Sequence, residues 1–140
     1  MNTPPEASAE LQAFLRDKIL SYEQLQTLLL LRSRPDETFS PGSVAEVLHV
    51  PEEVAAEVLD HLRSQNLLEL QSGTESRRFC YSPGSVALAG VVDELAESYD
   101  VNRLTVINLM NANAFERVRT QALSTFANAF ILGRKKGKDG

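Results

Sequence analysis

The sequence predicts a mainly α-helical protein with one small β-hairpin. Three observations carry that prediction. Apolar residues recur at three- and four-residue spacing through most of the chain, which gathers them on single helix faces. Serine, often followed by proline, stands where several of these stretches begin. Only two short runs, on either side of a loop containing Gly73, read as strands.

The first ten residues are polar and include Pro4-Pro5, the pattern of a frayed terminus or a loose helix start. From about Ala7, Leu11, Phe14, Leu15 and Ile19 share one helix face. Ser21 and Gln24 fit a capping box, each side chain meeting the other's free backbone N–H. Leu25, Leu28, Leu29 and Leu31 make the buried stripe of the next helix. It stops by Arg34-Pro35, because proline disfavours α geometry in the residue before it. Thr38-Phe39 is a candidate short strand. Ser40-Pro41 opens a short helix, with serine as N-cap and proline at the first helical position. His49-Val50-Pro51 turns the chain into a longer helix, residues 51–65, that buries Val54, Val58, Leu59 and Leu62. Asn66 suits a left-handed cap at its end.

Leu67 to Leu70 and Arg78 to Tyr81 are the two strands, joined by the loop Gln71 to Ser76. Ser82-Pro83 is expected to start a further helix running to about Tyr99, as Ser40-Pro41 does. The hexapeptide Ser-Pro-Gly-Ser-Val-Ala occurs twice, at 40–45 and 82–87, and the unmatched flanks argue for repeated capping chemistry, not a duplicated domain. Asp100 or Asn102 caps the segment Arg103 to Met110. Asn111-Ala112-Asn113 is expected to break it. A final helix then carries Phe115, Val118, Ala122, Phe126 and Phe130 along one side and ends at Gly133.

The chain has 140 residues, enough for one domain with a sizeable core. Its 43% apolar and 24% charged residues are ordinary for a soluble globular protein. The N-terminus lacks the basic and apolar regions of a signal peptide, and no apolar run is long enough to span a membrane. Cys80 is the single cysteine, so no internal disulfide forms, and a reducing cytoplasm is expected. The net charge of −5 is unevenly spread. Residues 1–100 carry 7 basic and 17 acidic side chains; residues 101–140 carry 7 and 2. Between Arg34 and Arg63 there are seven acids and no lysine or arginine.

Helix, short strand, short helix, turn, longer helix and hairpin is the order of a winged helix-turn-helix, here with additional N- and C-terminal helices. The stretch from Ser21 to Leu70 resembles the winged-helix modules of bacterial transcription regulators, broadly of the MarR and ArsR types. The residues that carry the resemblance are Ala45 to Leu48, the helix at 51–65, and Asn66-Leu67-Leu68 leading into the hairpin. The expected division is an N-terminal helix and tail at 1–20, the winged helix at 21–82, C-terminal helices at 83–132 and a basic tail at 133–140. The resemblance implies that the helix at 51–65 enters the DNA major groove and that the hairpin reaches the backbone or minor groove. The DNA-facing residues are then Ser43, Glu53, Ala56, Glu57 and Arg63, with Arg77 and Arg78 at the hairpin. The basic cluster Arg134, Lys135, Lys136 and Lys138 adds phosphate contacts.

The charge on the presumed recognition helix opposes that reading. Glu52, Glu53, Glu57 and Asp60 stand against Arg63 alone, whereas nonspecific DNA affinity comes from lysine and arginine. Glu52 and Glu53 are explained by the helix dipole, which favours acids in the first turn. Glu57 and Asp60 are not. A winged-helix module whose acidic helix meets a basic protein surface is therefore the alternative. The basic tail equally suits DNA, an acidic partner, anionic lipid, solubility, or docking on the acidic 36–60 region of its own or a second subunit. The apolar stripe from Phe115 to Phe130 is too one-sided to stand alone and predicts a homodimer. A membrane-surface role fits less well, because the polar face of that helix lacks lysine until its end. His49, His61 and Cys80 show no metal-ligand spacing, and neither a phosphate loop nor a catalytic triad pattern is present, so no cofactor and no enzymatic activity are expected.

Overall fold

The computed structural model describes residues 7–71 and 77–139, with side chains to residue 129. The expectations for residues 1–6, for the loop at 72–76, and for the side chains of Phe130 and the basic cluster lie outside the described residues.

Six helices and one hairpin follow in the order α1 (Ala9–Asp17), α2 (Tyr22–Ser33), α3 (Pro41–Leu48), α4 (Glu52–Ser64), β1 (Leu68–Gln71), β2 (Arg78–Tyr81), α5 (Val86–Val101) and α6 (Arg103–Asp139). Leu11, Phe14, Leu15 and Ile19 are buried as their spacing requires, and Leu25, Leu28 and Leu31 join them from α2. From α4, the buried residues are Ala55, Val58, Leu59 and Leu62. Phe79 of β2 is fully buried in this same core.

Local chemistry explains most boundaries. Ser40 and Ser43 form a reciprocal capping box at the start of α3, with Pro41 at its first position. The end of α4 is a Schellman motif: Leu67 N–H donates to the Leu62 carbonyl at 3.1 Å and Asn66 N–H to the Arg63 carbonyl at 3.0 Å. Asn66 itself is left-handed, with φ 63°. Because Leu67 N–H serves this cap, β1 begins one residue later than its sequence suggests. The expected capping box at α2 is half formed. Ser21 Oγ accepts from Gln24 N–H at 3.2 Å, but Gln24 Oε1 reaches past Ser21 to the Leu20 N–H at 2.7 Å.

β1 and β2 pair antiparallel in the register Leu68 with Tyr81 and Gln71 with Arg78. Phe39 adds a third, one-residue partner: Phe39 and Phe79 exchange both backbone hydrogen bonds, each at 2.8 Å. The expected strand at Thr38-Phe39 is thus a single bridge on the outer side of β2.

Two expectations about the C-terminal half are corrected. Ser82-Pro83 does not start α5. Ser85 is its N-cap, and Ser85 Oγ accepts from Leu88 N–H at 3.1 Å. Ser82 and Gly84 instead extend the hairpin's pairing, donating to the Leu67 carbonyl at 2.9 Å and the Asn66 carbonyl at 2.8 Å. Any Cβ on Gly84 would lie 3.2 Å from Asn66 Cβ, so glycine permits this close approach. The two identical hexapeptides therefore use different serines as caps, and their neighbours decide which.

The second correction is that Asn111-Ala112-Asn113 does not break the last helix, nor does Gly133 end it. α6 is continuous over 37 residues, about 55 Å at 1.5 Å per residue. Asparagine costs only about 0.7 kcal/mol in a helix interior and glycine about 1 kcal/mol, too little to force a break without proline. Val106 and Met110 also pin the helix to the body just before the asparagines. No helix among the described residues is long and apolar enough to cross a membrane.

Candidate nucleic-acid interface

α3 and α4 form the helix-turn-helix unit. His49 makes the turn between them in the left-handed region, with φ 58°, which lets Val50 N–H reach back to the Ala45 carbonyl at 3.1 Å. α4 is fixed at its far end by α1. The His61 ring donates from Nε2 to the Lys18 carbonyl at 2.7 Å, since a carbonyl can only accept, and Lys18 Nζ donates to Gln65 Oε1 at 3.3 Å. With Ala55, Val58, Leu59 and Leu62 inward, α4 leaves Glu53, Glu57, Asp60, Arg63 and Ser64 exposed and Ala56 half-buried. This is the outward face expected from the spacing.

The hairpin lies beside that face and is tied to it. Arg77 grips Asp60 with both ends of its guanidinium, one contact being Nη1 to Oδ2 at 3.4 Å. The same guanidinium stacks 5.2 Å from the centre of the Phe79 ring. Both partners of this ion pair are 49% exposed, so the pair contributes only about 0–1 kcal/mol to stability. Arg78 is held differently. Its Nε donates to Thr38 Oγ1 at 2.7 Å and its Nη2 to the Thr38 carbonyl at 3.0 Å, which fastens β2 to the segment before α3. At the other end of β2, burial raises the Tyr81 hydroxyl above its ordinary pKa; Asp93 adds to the effect and Arg32 opposes it.

The structure thus separates the expected site residues. Glu53, Ala56, Glu57, Arg63 and Arg77 share one surface. Ser43 is engaged in the α3 cap, its Oγ donating to the Ser40 carbonyl at 2.9 Å. Arg78 is engaged with Thr38. The positions of Arg134, Lys135, Lys136 and Lys138 are carried along α6, past residues 118–129, which are all exposed.

Two couplings were not visible in the sequence, Asp60 with Arg77 and Thr38 with Arg78. Their signal is tertiary, because the partners are 17 and 40 residues apart. Asp60 was one of the two acids without a local explanation, and Arg77 now accounts for it. Glu52 gains a second explanation: its Oε1 lies 3.7 Å from the Cβ that Gly42 would carry, over the first turn of α3. With Glu53 in the first turn of α4 and Asp60 paired, the unexplained charge on the outward face reduces to Glu57.

Cavities also lie elsewhere. One of about 550 Å³ between α2, α3 and α5 is lined by Tyr22, Gln26, Leu30, Val47 and Tyr99. Another of about 400 Å³ between α1, α5 and α6 is lined by Leu11, Glu94, Ser98 and Val106. Neither of these two places a nucleophile beside a base. Among the described residues no group of three or more His, Cys, Asp or Glu side chains could hold a metal.

No protein-family model matches the sequence, and no curated protein matches it. Solved structures do. Reduced HlyU from Vibrio cholerae is similar at 19% identity with a TM-score of 0.50, over 65% of this chain and 90% of that one. A double mutant of ZitR from Lactococcus lactis is similar at 20% identity and TM-score 0.50, over 82% of this chain and 78% of that one. MepR, a transcription regulator of the Staphylococcus aureus multidrug efflux pump MepA, is similar at 13% identity and TM-score 0.50, over 86% of this chain and 90% of that one. The shared feature is the fold, a mainly α-helical winged helix-turn-helix.

Proposed function

We propose that this chain is a non-enzymatic, winged-helix transcription regulator that binds duplex DNA as a homodimer in the cytoplasm. The observation that carries the proposal is the open outward face of α4 beside a hairpin, on a unit held by His61 and Arg78. Among the described residues nothing covers this face, and a helix presented in this way fits the major groove. The likeness in fold to MepR supports the same reading.

In this reading Arg77 is the moving part. Its exposed pair with Asp60 is weak enough to be exchanged for a phosphate, which is a stronger, multiply charged acceptor. Arg63 supplies a second cation at the end of α4. Glu53 and Glu57 then oppose nonspecific binding, and a glutamate in the groove accepts from cytosine N4. The protein would accordingly bind DNA weakly in general and discriminate by sequence where it binds well. Two half-sites about one DNA turn apart follow from a two-fold dimer.

A second reading rests on a specific observation. Glu53 and Glu57 are exposed and make no ion pair among the described residues. Such a face suits a basic protein surface, and fold alone does not choose between the two uses.

Salt-dependent binding to a random-sequence duplex separates them. The regulator predicts binding at low salt that weakens steeply as salt rises, and Arg77→Ala reduces the logarithmic slope by about 1. Absence of binding at low salt, together with capture of a lysine-rich peptide that Glu53→Gln/Glu57→Gln abolishes, would establish the second reading instead.

A further inference from the structure

Between α1 and α2 the chain makes a short linker, Lys18 to Ser21, and two distant elements fasten to it. From one side, the His61 ring of α4 donates to the Lys18 carbonyl at 2.7 Å, and Lys18 Nζ returns a bond to Gln65 Oε1 at 3.3 Å. Gln65 is the C-cap of α4. From the other side, Arg117 Nη2 of α6 donates to the Leu20 carbonyl at 3.1 Å. Ile19 stands between the two carbonyls and is 1% exposed, so it seats the linker in the core. Elsewhere the two helices belong to different parts of the packing. α4 packs chiefly on α2, α3 and β1, and α6 chiefly on α1 and α5.

We propose that the Lys18–Leu20 linker is a regulatory joint through which the position of α6 sets the hold on the C-terminal end of α4. Its consequence for DNA rests on the reading of α4 as the DNA-facing helix. The joint itself rests on the hydrogen bonds alone.

Arg117 is the part suited to let go. Its Nη1 is buried and has no hydrogen-bond partner among the described residues. A buried donor without an acceptor carries a desolvation penalty, which offsets much of what the bond to Leu20 contributes. The docked and released positions of Arg117 are therefore close in free energy, and a modest load shifts the balance between them. The load has a long arm. Beyond Arg117, α6 continues to Asp139, about 33 Å at 1.5 Å per residue. Every residue from 118 to 129 is exposed on that arm. α4 is the part suited to respond. Pro51 at its start makes no side-chain cap, so its polar anchoring lies at the far end. There the Gln65, Asn66 and Leu67 N–H groups close the turn onto the carbonyls of His61, Arg63 and Leu62, and the chain passes into β1. Release of Arg117 frees the Leu20 carbonyl and slackens the linker that holds this end. α4 must then be ordered at the moment of binding, which lowers its affinity for a ligand.

Hydrogen exchange, followed residue by residue in the full chain, reads the joint without DNA. Arg117→Ala is predicted to speed exchange of the Gln65, Asn66 and Leu67 amides by about 2- to 30-fold. The Val44 amide, which is bonded to the Ser40 carbonyl at the start of α3, stays unchanged. Arg117→Lys keeps a donor for the Leu20 carbonyl and restores protection. In a Lys18→Met/His61→Leu background α4 is already untied from the linker, and Arg117→Ala adds nothing at the three amides. Uniform acceleration across all elements, or equal acceleration with and without the α4 ties, would overturn the proposal, because Arg117 would then serve stability alone. The same variants are titrated with a random-sequence duplex. Arg117→Ala is predicted to weaken binding by about 2- to 30-fold, and Arg117→Lys to recover it. Duplex binding by the unaltered chain that Arg117→Ala leaves unchanged would overturn the regulatory role. Selective acceleration at the end of α4 in a chain that binds no duplex even at low salt would support the joint and overturn the DNA reading instead.

Discussion

The outward faces of α4 and α6 are opposites. α4 stands on fully packed residues, with Leu59 and Leu62 wholly buried, and turns carboxylates to the solvent. α6 stands on the body only as far as Arg117 and turns phenylalanines to the solvent. Water solvates exposed carboxylates well, so the α4 face is complete in a single chain and waits for a charged or hydrogen-bonding partner. Exposed phenylalanines are unfavourable in water, so the α6 face is incomplete in a single chain. One face is therefore suited to a reversible ligand and the other to a standing assembly.

The largest expected effect breaks the α6 side of this contrast. Phe115→Glu with Phe126→Glu should weaken self-association by at least about 100-fold, since central aromatic anchors each carry about 2 kcal/mol or more. Sedimentation equilibrium measures it. Helical content should fall only at the α6 end, because neither residue touches the core. Retention of the dimer would remove α6 from the interface. A smaller effect is expected where the hairpin is fastened. Arg78→Ala deletes two bonds to Thr38 and should cost about 1.5–3 kcal/mol in urea unfolding, whereas loss of a merely solvated arginine would cost almost nothing. The start of α5, which leads into α6, allows a paired check. Ser85→Ala should cost about 1 kcal/mol as the loss of a true N-cap, and Ser82→Ala less than about 0.5 kcal/mol. The smallest effect lies on the α4 side. Asp60→Asn should change stability by less than about 1 kcal/mol, as for an exposed pair, yet it frees Arg77 and should tighten duplex binding several-fold in a fluorescence anisotropy titration.

Where an element depends on its nearest neighbours in sequence, the chain could be read directly. Ser40-Pro41 capped α3, Asn66 took the left-handed position after α4, and Val58, Leu59 and Leu62 were buried as their spacing required, with Ala55 taking the buried place expected of Val54. The winged-helix order was legible for that reason. Elements decided by distant partners were not. Ser82-Pro83 looks like Ser40-Pro41, but the carbonyls of Asn66 and Leu67 draw it into the hairpin, and Ser85 becomes the cap. Asn111 to Asn113 look like a break until Val106 and Met110 are seen to hold the helix on course. The acidic face was legible as composition and not as geometry. Arg77 of the hairpin pairs with Asp60, so the opposing charge is smaller than the sequence suggested.

The central claim is that the α4 face meets the phosphate-rich surface of DNA, and the sign of one effect tests it. The measurement compares random-sequence duplex affinity of the unaltered chain and of Glu53→Gln/Glu57→Gln at low salt. Each removed charge relieves up to about 1 kcal/mol of repulsion in water, so the double variant is predicted to bind about tenfold more tightly, with the advantage shrinking as salt is added. Unchanged or weaker DNA binding by the double variant would contradict the account, because it would mean that α4 does not face the DNA.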